Sequence, residues 1–446
     1  MVDRVLSLLE QKKYPEVKQT VLSMHEADIA EIFEEIDDRE VSLRLFRLLP
    51  KEQAAEVFAY MDGDVQQRII EALTDTELKH ILDNMYLDDY VDMVEEMPAN
   101  VVQRVMQNSS TKNRSLINQY LNYPENSAGS LMTCEYVYLK KTLTVQEAFT
   151  VIRNTGIDKE TVYNCYVTNP QRKLEGVVSV LELLLADPGK LVGDIMTIDP
   201  IFVRTLDDRE DIAKMFSHYD LLALPVVDNE ERLVGIITVD DAIDVLQEEN
   251  TEDFERMAGM APSEDTYLKT PVFKLAKNRI VWLLVLMISA MITGALLESY
   301  EAAISAIPLL VSFIPMLMDT GGNSGSQAAT MIIRGMALDE IELSDVFKVW
   351  WKELRVAGVV SVALAAVNFL RIWIQYKDAS VAAVVCLTLV VTIIIAKSLG
   401  CLLPMLAKKL RLDPAIMAAP MITTVTDACS IFVFFQFSMH LLASRL

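Results

Sequence analysis

Apolar positions divide the chain into three regimes. Up to about residue 125 they recur at helical spacing in short segments. Three of these repeat at intervals of 24: RLFRLLP (44–50), RIIEALT (68–74) and DMVEEMP (92–98). Pro or Thr ends each copy, so the pattern predicts a stack of short helical hairpins. From residue 129 the pattern changes. GSLMTCEYVYLKKTLTVQEAFTVI (129–152) is matched by GDIMTIDPIFVRTLDDREDIAKMF (193–216). Each holds a Met-Thr pair, a short β-branched stretch and an amphipathic helix. NCYVTNPQRKLEGVVSVLELL (164–184) and ALPVVDNEERLVGIITVDDAIDVL (223–246) complete the two copies. Each of these reads as a strand, a polar turn, a strand beginning at Gly176 or Gly235, and a helix. Beyond residue 270 the apolar runs 281–297, 302–318, 356–370, 381–406 and 415–442 are long enough to cross a bilayer. About 20 apolar residues suffice for that. The predicted architecture is multidomain: an all-α helical-repeat domain (1–128), a tandem α/β pair (129–246), a connecting helix (247–270) and a five-helix membrane domain (271–446).

Charge sharpens this division. The chain carries a net −23, with 52 acidic and 25 basic residues in 1–268 against 11 acidic and 15 basic in 269–446. So acidic a front half is a poor match for nucleic acid, which calls for a basic surface. Basic residues cluster ahead of the first run (Lys269, Lys274, Lys277, Arg279), between the second and third (Arg334, Lys348, Lys352, Arg355) and between the fourth and fifth (Lys408, Lys409, Arg411). The opposite side holds Arg371, Lys377 and Arg445. Basic loops mark the cytoplasmic side, which predicts a cytoplasmic front half and an external C-terminus. The first residues lack the apolar core of a cleaved signal peptide. The five cysteines show no CxxC spacing, so neither a zinc site nor a disulfide framework is expected. No P-loop, nucleophile elbow or HExxH is present, and an enzyme is not expected.

Two motifs in the membrane domain carry chemistry. PMLMDTGGNSGSQ (315–327) places Pro315, Gly321, Gly322 and Gly325 at the end of an apolar run. Such residues permit a non-helical backbone, which at membrane depth is tolerated where it lines a cavity or is buried in protein. Freed carbonyls there, with Asn323, Ser324 and Gln327, would offer neutral oxygens to a cation. The competing use of the glycines is close helix packing. TTVTDACS (423–430) places Asp427 near the middle of the last run, among the hydroxyls of Thr423, Thr424, Thr426 and Ser430. An intramembrane carboxylate marks an ion path by default; the competing reading pairs it with Lys397. In the front half, Asp88, Asp89 and Asp92 share one helical face, and Asp241 and Asp244 are three apart. Like charges so placed repel unless a cation sits between them.

Residues 129–250 resemble a tandem pair of CBS domains. Thr238 and Asp241 resemble that family's ribose and phosphate contacts, whereas the first copy has Ser179 and Glu182 there. The resemblance therefore implies a ligand sensor, with ATP at Thr238 and Asp241 left open. With GGNSGSQ, TTVTDACS and the LDP turn at 412–414 added, the whole chain resembles the MgtE family of magnesium channels. That resemblance implies a homodimer in the lipid bilayer of a bacterial inner membrane, with spans two and five of both subunits lining one pore. Its pore residues would be Asp427, Asn323, Gly325, Gln327, Thr423 and Asp413. It implies regulatory Mg²⁺ at Glu56, Asp88 and Asp92, at Asp220, Asp241 and Asp244, and at Glu249, Glu252 and Asp253 on the connecting plug helix. The chemistry agrees. Mg²⁺ is a hard ion that wants oxygen ligands and sheds water reluctantly, and two Asp427 carboxylates would match its charge. A secondary carrier or exchanger for Mg²⁺ or other divalent cations is the alternative, and a membrane-anchored nucleotide sensor a third reading. An anchor would need neither motif.

Overall fold

The computed structural model describes residues 2–443 except 37, 264–266, 269 and 418. Lys269 and Arg445, both used above for orientation, lie outside the described residues. The chain forms two compact units, Met1–Leu246 and Gln247–Leu446.

The first unit opens with short helices of 8–10 residues. Helices starting at Arg39, Gly63 and Leu87 alternate with helices starting at Lys51, Asp75 and Ala99, each series at the 24-residue interval of the sequence repeat. They stack in two rows. Glu26–Glu34 packs on Lys51–Ala59, which packs on Asp75–Leu82 and then Ala99–Asn108. Arg39–Phe46, Gly63–Ala72, Leu87–Glu96 and Thr111–Tyr120 form the other row. The buried positions repeat too: Leu45, Ile69 and Met93, then Phe46, Ile70 and Val94, then Leu49, Leu73 and Met97. Each copy thus presents the same three-residue apolar edge to its neighbours, which is how a solenoid shares one core. Caps end the helices locally. Asp38 accepts the Glu40 N–H at 2.8 Å, and Thr74 and Glu77 form a reciprocal capping box.

The α/β region follows as two sheets. In the first, β1 (Tyr136–Leu139) runs parallel to β2 (Thr161–Thr168), which is antiparallel to β3 (Leu174–Ser179), itself antiparallel to β4 (Thr197–Ile198). In the second, β5 (Val203–Arg204) is parallel to β6 (Ala223–Val227), antiparallel to β7 (Leu233–Thr238). The polar turns are built alike. Asn169 Oδ1 accepts the N–H groups of Gln171 and Lys173, and Asp228 Oδ1 accepts those of Glu230 and Arg232. The Met-Thr segments cross over. Thr197 of the second copy pairs with Val177 of the first copy's sheet, and Thr133 of the first copy bridges Ile236 of the second. Gly176 and Gly235 make room for this: a Cβ on Gly176 would lie 2.8 Å from Met196 Sδ, and one on Gly235 2.7 Å from Met132 Sδ.

In the second unit, four helical stretches among the described residues are long and apolar enough to cross a membrane: Val272–Glu298, Leu343–Tyr376, Ala379–Lys409 and Pro414–Leu441. Ala379–Lys409 is central, packing against Val346–Tyr376, Ile314–Ala337 and Ala419–Leu441. The expected span 302–318 is not one helix. Glu301–Ala306 and a 3₁₀ segment, Pro308–Phe313, precede the 24-residue helix Ile314–Ala337. The sequence reading of a non-helical break at 315–327 is likewise corrected, because the whole motif is helical. Pro315 occupies the first turn, where its missing N–H costs nothing. The glycines serve contact. A Cβ on Gly321 would lie 2.7 Å from Thr392 Cγ2, and one on Gly400 2.3 Å from the Gly325 carbonyl oxygen. Gly400→Ala should therefore overpack this junction and cost about 1–3 kcal/mol, measured as a lower melting temperature in detergent. A mutant melting with wild type would mean that the helices part freely there.

Candidate functional site

Ile314–Ala337 has two faces. Gly321, Gly322, Ser324, Gly325, Ala328 and Ala329 are buried against the neighbouring helices. Asp319, Asn323, Gln327 and Thr330 are exposed and, at spacings of three and four, form one polar stripe. Asn323 Nδ2 donates to Asp319 Oδ1 at 3.1 Å. Gly325 lies on the packed face, so the helix separates it from Asn323 and Gln327.

Asp427 is half-buried on Ala419–Leu441, within electrostatic reach of Asp319. It does not pair with Lys397, whose Nζ lies 3.1 Å from Glu353 Oε2 in a buried ion pair. Three of the four hydroxyls around Asp427 are tied to their own helix, whereas Thr426 Oγ1 is buried with no hydrogen-bond partner among the described residues. Thr423 and Thr424 both donate to the Pro420 carbonyl at 2.9 Å, and Ser430 donates to that of Thr426 at 2.7 Å. With their protons so placed, these three oxygens keep only acceptor capacity. Asp413 sits at the turn ahead of this helix. It accepts the Ala415 N–H at 2.8 Å and pairs with Arg256, which also pairs with Glu252. The membrane unit thus offers oxygen donors and carboxylates, chemistry suited to a hydrated cation.

A second concentration of carboxylates lies within the first unit. Glu56, Asp88, Asp92, Asp241 and Asp244 line one cavity of about 520 Å³, joined by Asp89, Glu160 and Asp240. Burial first, then repulsion among the carboxylates, pushes Glu56, Asp88, Asp89, Asp92, Glu160, Asp241 and Asp244 up. Asp89 and Asp241 titrate at about 6, Asp92 at about 7 and Glu160 at about 8, with Asp88 well above its ordinary value. Asp88 Oδ1 and Glu160 Oε2 are buried without a hydrogen-bond partner. Such orphaned oxygens fit a cation or its water shell. Among the described residues no group of three His, Cys, Asp or Glu side chains is set to hold an ion directly; Mg²⁺ commonly keeps several waters and takes one or two carboxylates. Asp220 does not line this cavity; it ends the helix Arg209–Tyr219 in a left-handed conformation. Glu249, Glu252 and Asp253 belong to the other unit. Thr238 Oγ1 donates to Asp241 Oδ2 at 2.6 Å, a contact at the start of Val239–Met257. Ser179 and Glu182 form a capping box in the first copy. Glu160 escaped the sequence reading because it stands alone before β2, with no partner at a telling spacing.

A carboxylate whose folded pKa is raised stabilises the fold fully below its ordinary value and loses that contribution as pH rises through the folded value. In EDTA, the melting temperature of the first unit should therefore fall between about pH 4 and about pH 8. Mg²⁺ should restore more at the upper end. A flat profile would show that these carboxylates do not repel one another.

Three family models match in order: the MgtE intracellular N domain at 24–126, the CBS domain at 128–189 and 192–248, and a divalent cation transporter, MgtE, at 314–437. The chain is 33% identical over 432 residues to a magnesium transporter MgtE of Thermus thermophilus, covering 96% of this chain and 95% of that protein. It is 29% identical over 439 residues to a magnesium transporter MgtE of Bacillus subtilis, covering 98% and 96%. A crystal structure of the cytosolic domain of the Mg²⁺ channel MgtE in complex with ATP matches with a TM-score of 0.52 at 33% identity, over 55% of this chain and all of that one. With relatives matched almost end to end and every regime of the sequence accounted for in order, this chain belongs to the MgtE family of divalent cation transporters.

Proposed function

We propose that the chain is a Mg²⁺ channel acting as a homodimer in a bacterial inner membrane, with its acidic domains in the cytoplasm and its C-terminus outside. Magnesium transport follows from family membership; the chain is a transporter and not an enzyme. The observation that carries the finer reading is the polar stripe Asp319, Asn323, Gln327 and Thr330. Its helix has 24 residues, about 36 Å at 1.5 Å per residue, enough to span the hydrocarbon core. Lipid cannot solvate such a stripe. Facing its counterpart in a second copy, it becomes one wall of a water-filled path, and this helix becomes the fifth span. Asp427 of both copies then supplies two negative charges to one divalent ion. Asn323, Gln327 and Thr423 offer oxygens to its waters, Gly325 lets the helices close behind them, and Asp413 stands at the turn leading in.

On the same reading the cytoplasmic carboxylates sense internal Mg²⁺. Glu56, Asp88, Asp92, Asp241 and Asp244 share a cavity with orphaned oxygens, the feature that supports this use. Asp220, and Glu249, Glu252 and Asp253 on the plug helix, complete the set that the family resemblance assigns. A nucleotide would meet Thr238 and Asp241. A carboxylate repels phosphates, so Asp241 suits the ribose hydroxyls.

The test is Mg²⁺ entry into liposomes holding the purified protein, with empty liposomes as control. Saturable entry is expected, and its absence from folded protein would refute the proposal. Asn323→Ala should cut that flux several-fold while melting with wild type, since Asn323 is exposed. Undiminished flux would place the ion path elsewhere.

A further inference from the structure

The start of the first membrane helix holds a cavity that neither the pore nor the sensor uses. About 240 Å³ in volume, it is lined by Arg256, Gly259, Ala261, Asn278, Val281 and Trp282 among others, and its walls are almost wholly apolar by area, with Arg256 committed to Glu252 and Asp413. The chain reaches it through Gly259, whose φ of +71° ends the preceding helix and whose α-carbon lies against the Trp282 ring. The Ala261 N–H donates to the Asn278 carbonyl at 3.0 Å, which stitches this segment to the membrane helix. The Trp282 indole N–H is buried and has no hydrogen-bond partner among the described residues.

Lys277 and Arg279 are exposed one helical turn before Val281 and Trp282, toward the end that the basic-loop pattern places at the cytoplasmic surface. Nearby Phe273 is 90% exposed, and the helix Val272–Glu298 buries none of its side chains. A mostly apolar cavity that holds an idle indole donor, on a helix that exposes two cations one turn earlier, has the polarity of one molecule. We propose that it binds an anionic phospholipid of the inner leaflet. The phosphate lies at Lys277 and Arg279, an ester oxygen accepts from the Trp282 N–H, and a stretch of acyl chain fills the cavity. Tryptophan and basic residues are the side chains that anchor proteins at this depth.

The full-length protein in liposomes tests this through Trp282 fluorescence, isolated as the difference between wild type and Trp282→Phe. Bromine-labelled phosphatidylglycerol should quench it saturably at low mole fraction, whereas bromine-labelled phosphatidylcholine should quench it weakly and in proportion to its content. Lys277→Gln and Arg279→Gln should each raise the half-quenching fraction of phosphatidylglycerol about fivefold, the worth of one cation at the surface. Ala261→Leu, which fills the cavity, should abolish the saturable part while Mg²⁺ flux shows the protein folded. Equal, linear quenching by both lipids would overturn the proposal. So would displacement of the quencher by inorganic phosphate, which would make this a site for the free anion.

Discussion

Asp427→Ala is expected to abolish Mg²⁺ flux in liposomes while leaving the melting temperature at or above that of wild type. The Lys397 that could have paired with Asp427 is committed to Glu353, so no ammonium competes with an ion for the carboxylate. At an effective dielectric constant near 20, a unit charge about 4 Å from a monovalent ion is worth about 4 kcal/mol. A divalent ion near two such groups gains several times that before desolvation is counted. Losing even 4 kcal/mol from the conducting path slows it about a thousandfold. Stability should move the other way, because a carboxylate at membrane depth costs about 2.5–3.5 kcal/mol. Asp427→Asn keeps the shape and removes the charge; it should conduct as poorly. Wild-type flux through either folded mutant would remove Asp427 from the pore.

The second large effect is expected from the carboxylate cavity of the first unit. On the proposed reading, with Mg²⁺ bound in this cavity favouring the closed form, replacing Asp88, Asp92, Asp241 and Asp244 together by Asn should leave the channel conducting at internal Mg²⁺ concentrations that close the wild type. The coupling needs differential binding, since an ion bound equally well by the open and closed forms shifts nothing. A tenfold preference per site is worth about 1.4 kcal/mol, so about four sites suffice to swing 1:99 to 99:1. Asn keeps an oxygen for the Thr238 contact to position 241, and removing clustered like charge should not unfold the unit. Current and protease protection against Mg²⁺ concentration measure the outcome. Wild-type closure by the quadruple mutant would reduce the cavity to a solvated acidic surface.

What the sequence made legible follows from where each contact lies along the chain. The helical repeat was readable because Leu45, Ile69 and Met93 recur in register. The α/β pair was readable because both copies carry every piece in order. The glycine motif was misread. Gly321, Gly322 and Gly325 permit either a broken backbone or a close approach, and the choice is made by Thr392, Thr423, Thr426 and Ile422, 70 to 105 residues away. Such long-range neighbours leave no mark on local periodicity. A gap of 44 residues likewise hid Glu353 from Lys397. The polar stripe, by contrast, was in plain view as 319, 323, 327 and 330, but a reading that expected non-helical backbone had no face to put it on.

The crossed Met-Thr segments bear on the order in which the protein can be made. The first sheet takes its last strand from Thr197–Ile198, so it stays unfinished until the second copy has begun to leave the ribosome. Met132, conversely, waits for Gly235, a hundred residues downstream. Neither copy is a self-sufficient piece. A chain severed near residue 190 should yield two fragments that fold together when mixed and stay incomplete apart. An ancestor with one copy could have closed its sheet only by borrowing the same segment from a twin, so duplication turned a partnership between molecules into one within a single chain.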